Sequence, residues 1–265
     1  MPTGVPVADH APDYATRGRI GIATPQANPT VEPEMALLMP PGAALHMVRL
    51  TSDASDSLQR LVDYIERLPD YAARFDTMKL RGFGFACTGS TYLVGRDRAL
   101  AIQDKTAEML GCPVESAAEA LLQTCETLGI ASIAIAAPYP GKLGEASLDF
   151  WRDNGLTITA HTTIDIGTGD TRAIYGITAD TALGALERFD LNGADALLLT
   201  GTGMPSLKVI DQARDRLGVP IVSSNYCLAW RLSHHVMGWT PTKDDPLLSG
   251  WQDRLAQIPA LAEDA

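Results

Sequence analysis

The segment Ala86-Cys-Thr-Gly-Ser-Thr91 gathers a thiol, three hydroxyls and a glycine-containing turn directly behind an apolar run. A thiol so placed can serve as nucleophile or acid, and the N–H groups of the turn make a cradle for an anion. A helix opening from this loop would favour the thiolate through the partial positive charge at its N-terminus. Cysteine is also among the residues most often simply buried, so Cys87 needs its context to count as functional.

A second loop, Thr200-Gly-Thr-Gly-Met-Pro-Ser206, also follows an apolar run, and its glycines permit a close approach of backbone to ligand. It lacks the Gly-Lys-Ser/Thr of a P-loop, and its glycines fall short of GxGxxG, so nucleotide binding has little support. Thr24-Pro-Gln-Ala-Asn28 and Ala137-Pro-Tyr139 place an amide and a phenol behind two further runs. Both are neutral donors suited to a carboxylate or a developing enolate oxygen. Asn28 reads equally well as the N-cap of a helix from Pro29 onward, and Tyr139 as a turn aromatic. The adjacent His234 and His235 point to different faces of a helix and make no metal pair. Cys112, Cys125 and Cys227 read as buried, with Cys227, four residues after Ser223, within reach of a cleft.

The elements that must position these loops alternate along the chain. Apolar, β-branched runs at 19–24, 45–50, 82–86, 130–137, 157–166, 196–200 and 219–223 predict strands, and helix-period stretches at 55–75, 97–110, 117–128, 178–189 and 206–217 lie between them. Alternation of this kind specifies parallel sheets covered by helices. Three segments also recur in order: Ile20–Pro25 as Ile133–Pro138, Gly84–Gly89 as Leu198–Gly203, and Gly111–Ser116 as Gly218–Ser223, displaced by 113, 114 and 107 residues. Near-constant spacing predicts an α/β protein of two pseudo-symmetric lobes, each a parallel sheet flanked by helices, with the active site in the cleft between them. The expected division is an N-terminal extension over 1–17, a first lobe of 18–127 plus 222–238, a second lobe of 128–221, and a tail over 239–265. Turn-forming Pro-Thr-Lys-Asp-Asp-Pro and a short amphipathic stretch around Trp251 and Leu255 mark that tail as a clasp or a dimer contact, which admits a homo-oligomer.

The 265 residues carry a net charge of -11, which argues against nucleic acid or an anionic membrane as partner and leaves a small anionic substrate open. The four cysteines form no CxxC pair and imply neither a disulfide framework nor structural zinc. The N-terminus lacks the continuous apolar stretch of a signal peptide, and no segment reaches the length of a membrane span, so a cytoplasmic protein is expected.

The motif order Pro25-x-x-Asn28-Pro-Thr-Val-Glu32, Cys87-Thr88, Pro138-Tyr139, Thr200-Gly201 with Met204-Pro-Ser-Leu207, and Gly218-x-Pro-x-x-Ser-Ser224 resembles maleate cis–trans isomerases, within the aspartate/glutamate racemase superfamily that includes arylmalonate decarboxylase. The resemblance spans about residues 18–238. It implies a cofactor-independent and metal-free enzyme acting on a small dicarboxylate, with Cys87 catalytic and Asn28, Thr88, Gly89, Tyr139, Thr200, Gly201 and Thr202 around the substrate. In such racemases a cysteine from each lobe flanks the substrate, and here the second position falls on Gly201. Two-base racemisation is thereby disfavoured, because glycine is neither acid nor base. Covalent isomerisation through Cys87 is the first expectation. Decarboxylation with Cys87 as proton donor to an enediolate is the alternative, and a non-catalytic dicarboxylate-binding protein is a third.

Overall fold

A computed structural model of the chain describes residues 13–238 and 247–258. Eight strands form two parallel sheets. The first takes β1 (Gly18–Pro25), β2 (Ala43–Leu50), β3 (Gly82–Phe85) and β4 (Val114–Ser116) in the order β2-β1-β3-β4. The second takes β5 (Ser132–Ala137), β6 (Thr157–Thr163), β7 (Ala196–Leu199) and β8 (Ile221–Ser223) in the order β6-β5-β7-β8. The identical order in both sheets is the structural form of the repeat read from the sequence.

Eleven helices complete the described residues: α1 (Val31–Leu38), α2 (Ser57–Glu66), α3 (Leu68–Ala72), α4 (Thr88–Val94), α5 (Arg96–Leu110), α6 (Ala117–Leu128), α7 (Gly141–Asp153), α8 (Ala179–Leu186), α9 (Leu207–Leu217), α10 (Ser224–Met237) and α11 (Trp251–Leu255). Central strands β3 and β7 are buried along their whole length, as strands covered on both faces must be. Gly82 and Gly84 of β3 let the α10 side chains Leu228 and Leu232 approach the sheet, where a β-carbon on Gly84 would lie 2.9 Å from Leu232. Helix α10 follows the second sheet in sequence yet packs on β3, β4 and α6.

Several elements depart from the sequence reading. The helix expected over 55–75 is broken into α2, α3 and a 3-10 turn, because Pro69 has no N–H with which to continue the ladder from α2. Helix α7 and strand β4 lie outside the elements expected, α1 realises the helix that Asn28 could cap, and β6 ends at Thr163 rather than 166. Trp251 and Leu255 lie on α11, where Trp251 is buried against Tyr226 and Arg254 donates to the Leu37 carbonyl. Helix α11 is thus docked on the first helix. Residues 1–12 of the extension and the Pro-Thr-Lys-Asp-Asp-Pro turn lie outside the described residues. No helix among the described residues is long and apolar enough to cross a membrane.

The two halves are joined by polar side chains as well as by core packing. Glu34 of α1 is buried, and its carboxylate accepts from the Ser206 N–H and hydroxyl, from the Leu207 N–H at 3.0 Å and from Asn225 Nδ2 at 2.7 Å. An acid of the first half therefore caps α9 of the second. Burial pushes the Glu34 carboxyl up from its ordinary value, while the donors from Ser206, Asn225 and Leu207 pull it back. Glu34→Ala strands those donors without an acceptor and should lower the free energy of unfolding by about 3 kcal/mol in urea denaturation. The raised carboxyl makes its contribution to stability complete below the ordinary carboxylate range and smaller as pH rises through the folded value. That slope should be absent in Glu34→Gln.

Candidate active site

The carboxyl ends of β1, β3, β5 and β7 converge between the two sheets, where open α/β folds bind ligands. There Cys87, Thr88 and Gly89 from the first half face Tyr139, Gly201, Thr202 and Gly203 from the second around one small cavity. Its volume is about 30 Å³, room for a water or two. Leu61 of α2, Leu143 of α7 and a 3-10 turn over residues 171–176 flank it, the turn contributing Thr171, Ile174 and Tyr175. Among the described residues no Asp, Glu, His, Lys or Arg lines it.

Cys87 sits at the N-cap position of α4, at the positive end of the helix. Ser90 Oγ donates to Cys87 Sγ at 3.1 Å, and the backbone N–H groups of Ser90 and Gly89 add to it. These donors favour the thiolate, as the sequence reading anticipated. Burial outweighs them, however, and the Cys87 thiol is pushed up from its ordinary value of 9.0. The expectation of an easily ionised thiol is therefore corrected: the surrounding Leu, Ile and Tyr side chains leave the charge nowhere to hydrate. The other three cysteines are also raised by burial, Cys112 to about 11 and Cys125 to about 12. Cys227 is corrected too, since it is fully buried beside Thr124 and Cys125 and does not line the cavity.

Thr88 Oγ1 and Tyr139 OH share a hydrogen bond of 2.7 Å across the cleft, a pair of hydroxyls at the edge of the cavity beside the thiol. Burial drives the Tyr139 phenol well above its ordinary value, so it stays a donor. Asn28 takes the capping role that its position suggested, and it does not line the cavity. Its Oδ1 accepts from the N–H groups of Thr30 and Val31 and caps α1, while Nδ2 donates to Thr202 Oγ1 at 3.2 Å. Thr202 Oγ1 in turn donates to the Ala86 carbonyl at 2.9 Å, immediately before Cys87. Asn28 and Thr202 are thus a brace between the two halves beside the cavity. Thr200 is set apart, its hydroxyl buried near the Tyr92 phenol and absent from the cavity wall.

Gly201 is more than a position lacking a thiol. Its φ is +113°, its N–H donates to Ser224 Oγ, and a β-carbon there would lie 3.1 Å from the Pro138 ring and 3.3 Å from Tyr139 OH. Gly203 admits the Tyr175 ring, which a β-carbon would meet at 2.7 Å. Ser90, within the loop first singled out, and Glu34, two residues past the Asn28 motif, are the participants that the sequence reading did not name individually. Leu61, Leu143 and the 171–176 turn carried no sequence signal, because apolar residues and Asp-Thr turns look alike wherever they fall.

The arylmalonate decarboxylase family model matches residues 20–242. The chain belongs to this family. Curated relatives include the maleate isomerase of Nocardia farcinica, 25% identical over 78% of this chain and 85% of that protein, and the arylmalonate decarboxylase of Bordetella bronchiseptica, 24% identical over 82% and 89%. Among solved structures, a cysteine-to-serine mutant of the Nocardia farcinica maleate cis–trans isomerase with a covalently bound succinylcysteine intermediate superposes with a TM-score of 0.73 at 22% identity, covering 82% of this chain and 92% of that one. The family thus holds both isomerases and decarboxylases, and in this member the cleft carries a single thiol.

A protonated, desolvated Cys87 has a direct consequence for labelling. Iodoacetamide should modify it more slowly than free cysteine at pH 8, and the rate should climb only above pH 9, as mass spectrometry of a pH series would show.

Proposed function

We propose that the chain is a single-thiol enzyme for a small dicarboxylate, a maleate-type cis–trans isomerase working through a covalent Cys87 adduct. The observation that carries this reading is the set of donors aimed at Cys87 Sγ, from Ser90 Oγ and from the Ser90 and Gly89 amides, in a cavity without any carboxylate or imidazole. Such donors stabilise sulfur as the species that adds to a double bond and is later expelled.

The thiol must first lose its proton, and the cavity has no base to take it. A carboxylate of the bound substrate is the acceptor. The thiolate then adds to one alkene carbon, and the π electrons move into the neighbouring carboxyl group as an enediolate. Thr88 and Tyr139 hydroxyls stand where they would hold that oxygen, with Gly89, Gly201 and Thr202 shaping the backbone around it. Rotation about the new single bond, collapse of the enediolate and departure of sulfur give the trans product, and the borrowed proton returns to Cys87. Asn28 supports Thr202, and Thr200 lies behind the substrate wall. The succinylcysteine held by a cysteine-to-serine isomerase mutant supports an adduct formed after loss of one cysteine.

A second reading rests on a different observation. Leu61, Leu143, Ile174 and Tyr175 make the wall opposite the hydroxyl pair apolar, and a carboxylate pressed against such a wall is prone to leave as carbon dioxide. In that reaction the carbon–carboxylate bond breaks, its electrons form the enediolate, and the neutral Cys87 thiol protonates the carbon.

Incubation with maleate, with a 2-aryl malonate and with aspartate, followed by NMR, separates the readings. Fumarate from maleate is the expected result, with loss of at least 100-fold in rate on Cys87→Ala. Carbon dioxide from the malonate alone would replace the first reading by the second, and full activity in Cys87→Ala would remove both.

A further inference from the structure

Beside the Thr88–Tyr139 pair lies a buried phenol that takes no part in the steps above. Thr88 and Tyr92 stand one turn apart on α4, so their side chains leave the same face of the helix. The Tyr92 ring meets the Tyr139 ring edge-on, with centroids 5.9 Å apart and planes at 78°. It also rests against Phe150 and Trp151 of α7, at 5.1 and 5.7 Å. All four rings are buried, so the cluster is a packed wall behind the hydroxyl pair.

The Tyr92 hydroxyl is enclosed and meets no partner at direct hydrogen-bond geometry among the described residues. A buried phenol ordinarily finds one. Its neighbours are the hydroxyls of Thr88, Thr200 and Ser147, and those of Thr200 and Ser147 are likewise enclosed without a direct partner. Ser147 precedes Phe150 and Trp151 by one helical turn, so the face of α7 that packs on the Tyr92 ring also carries Ser147 to it. Burial holds the Tyr92 phenol above its ordinary range, which keeps it a neutral donor.

The direction of the Thr88–Tyr139 hydrogen bond decides what the pair can offer. One of its two protons is spent inside that bond, and only the other is left for a substrate oxygen. A donor to Thr88 Oγ1 favours one direction: Thr88 gives its proton to Tyr139, and the Tyr139 proton is free for the cavity. The phenol is the more acidic of the two hydroxyls, and each donor in such a line strengthens the next. We infer that Tyr92 is the positioning residue of the Thr88–Tyr139 pair: its ring sets the Tyr139 ring, and its hydroxyl, donating to Thr88, turns the Tyr139 proton toward the substrate. Thr200 and Ser147 donate to the Tyr92 oxygen and complete the line. This rests on the reading of the Cys87 cavity as a site that forms an enediolate, which isomerisation and decarboxylation share, and deepens it by naming what orients the donors. Tyr92 does not line the cavity and acts only through its neighbours.

Tyr92→Phe keeps the ring and removes the hydroxyl. It should lower kcat by about tenfold on whichever of maleate or the 2-aryl malonate is turned over, with KM within about threefold and the melting temperature unchanged. Over Thr88→Val, which removes the group that Tyr92 acts through, the same substitution should cost less than about twofold, the coupling that a double-mutant cycle measures. Native protein, both single variants and the double variant titrated calorimetrically with phosphonoacetate, whose charged phosphonate imitates the enediolate, should show the same pattern in Kd. Native kcat and native affinity in Tyr92→Phe would overturn the inference. So would losses as large over Thr88→Val as without it, which would reduce Tyr92 to packing. A native protein that converts neither substrate would refute the enzymatic reading instead, and the titration would then decide the role of Tyr92 by itself.

Discussion

A carboxylate taken out of water costs several kcal/mol unless its oxygens are matched by donors, and Glu34 is matched by the Ser206 and Leu207 donors of the other half of the molecule and by Asn225 of α10. That single requirement ties α1 to the start of α9. Through Asn225, which bonds both Glu34 and the Thr202 carbonyl, it also fixes the loop that faces Cys87. Thr202 passes the constraint on by donating to the carbonyl before the thiol. A cleft between two sheets would otherwise be free to breathe along its length. Here the polar links hold the α1–α9 side together, while Leu61, Ile174 and Tyr175 supply apolar surface around the Cys87 cavity.

The chemistry at Cys87 follows from two opposed effects of the same enclosure. The helix N-terminus and Ser90 stabilise sulfur as an anion, and the dry cavity destabilises it. With no acid or base of its own in the wall, the site is chemically quiet until a substrate brings charge into it. A thiol kept neutral in this way is sheltered from alkylation and oxidation, since both begin with the thiolate. The fold therefore stores reactivity and leaves its release to the ligand.

Much of this was legible in the chain. Loops after apolar runs were the right places to look because parallel sheets present their carboxyl ends to ligand, and the repeat of Ile20–Pro25 in Ile133–Pro138 foretold the matched strand orders. The thiol's neighbours within its own loop were legible for the same reason, since a helix N-cap is a local event. What escaped the sequence is non-local. Nothing around Glu34 announces that its partners lie more than 170 residues away at Ser206, Leu207 and Asn225. The balance that raises the Cys87 thiol depends on side chains from α2, α7 and the 171–176 turn, none of which a local pattern connects to it. Helix α7 was missed because it opens on Gly141 and carries Gly144, residues that read as loop although Leu143, Phe150 and Trp151 supply its buried face.

Gly201 bears on how far this site could be remodelled. With φ at +113° and the Pro138 ring 3.1 Å from where a β-carbon would sit, the backbone has settled into a shape that only glycine occupies at ease. A codon change that put cysteine at this position would meet strain in the loop and crowding against Tyr139 before any second thiol could work. The route to a second thiol at Gly201 therefore passes through a rebuilt loop, and a single substitution does not reach it.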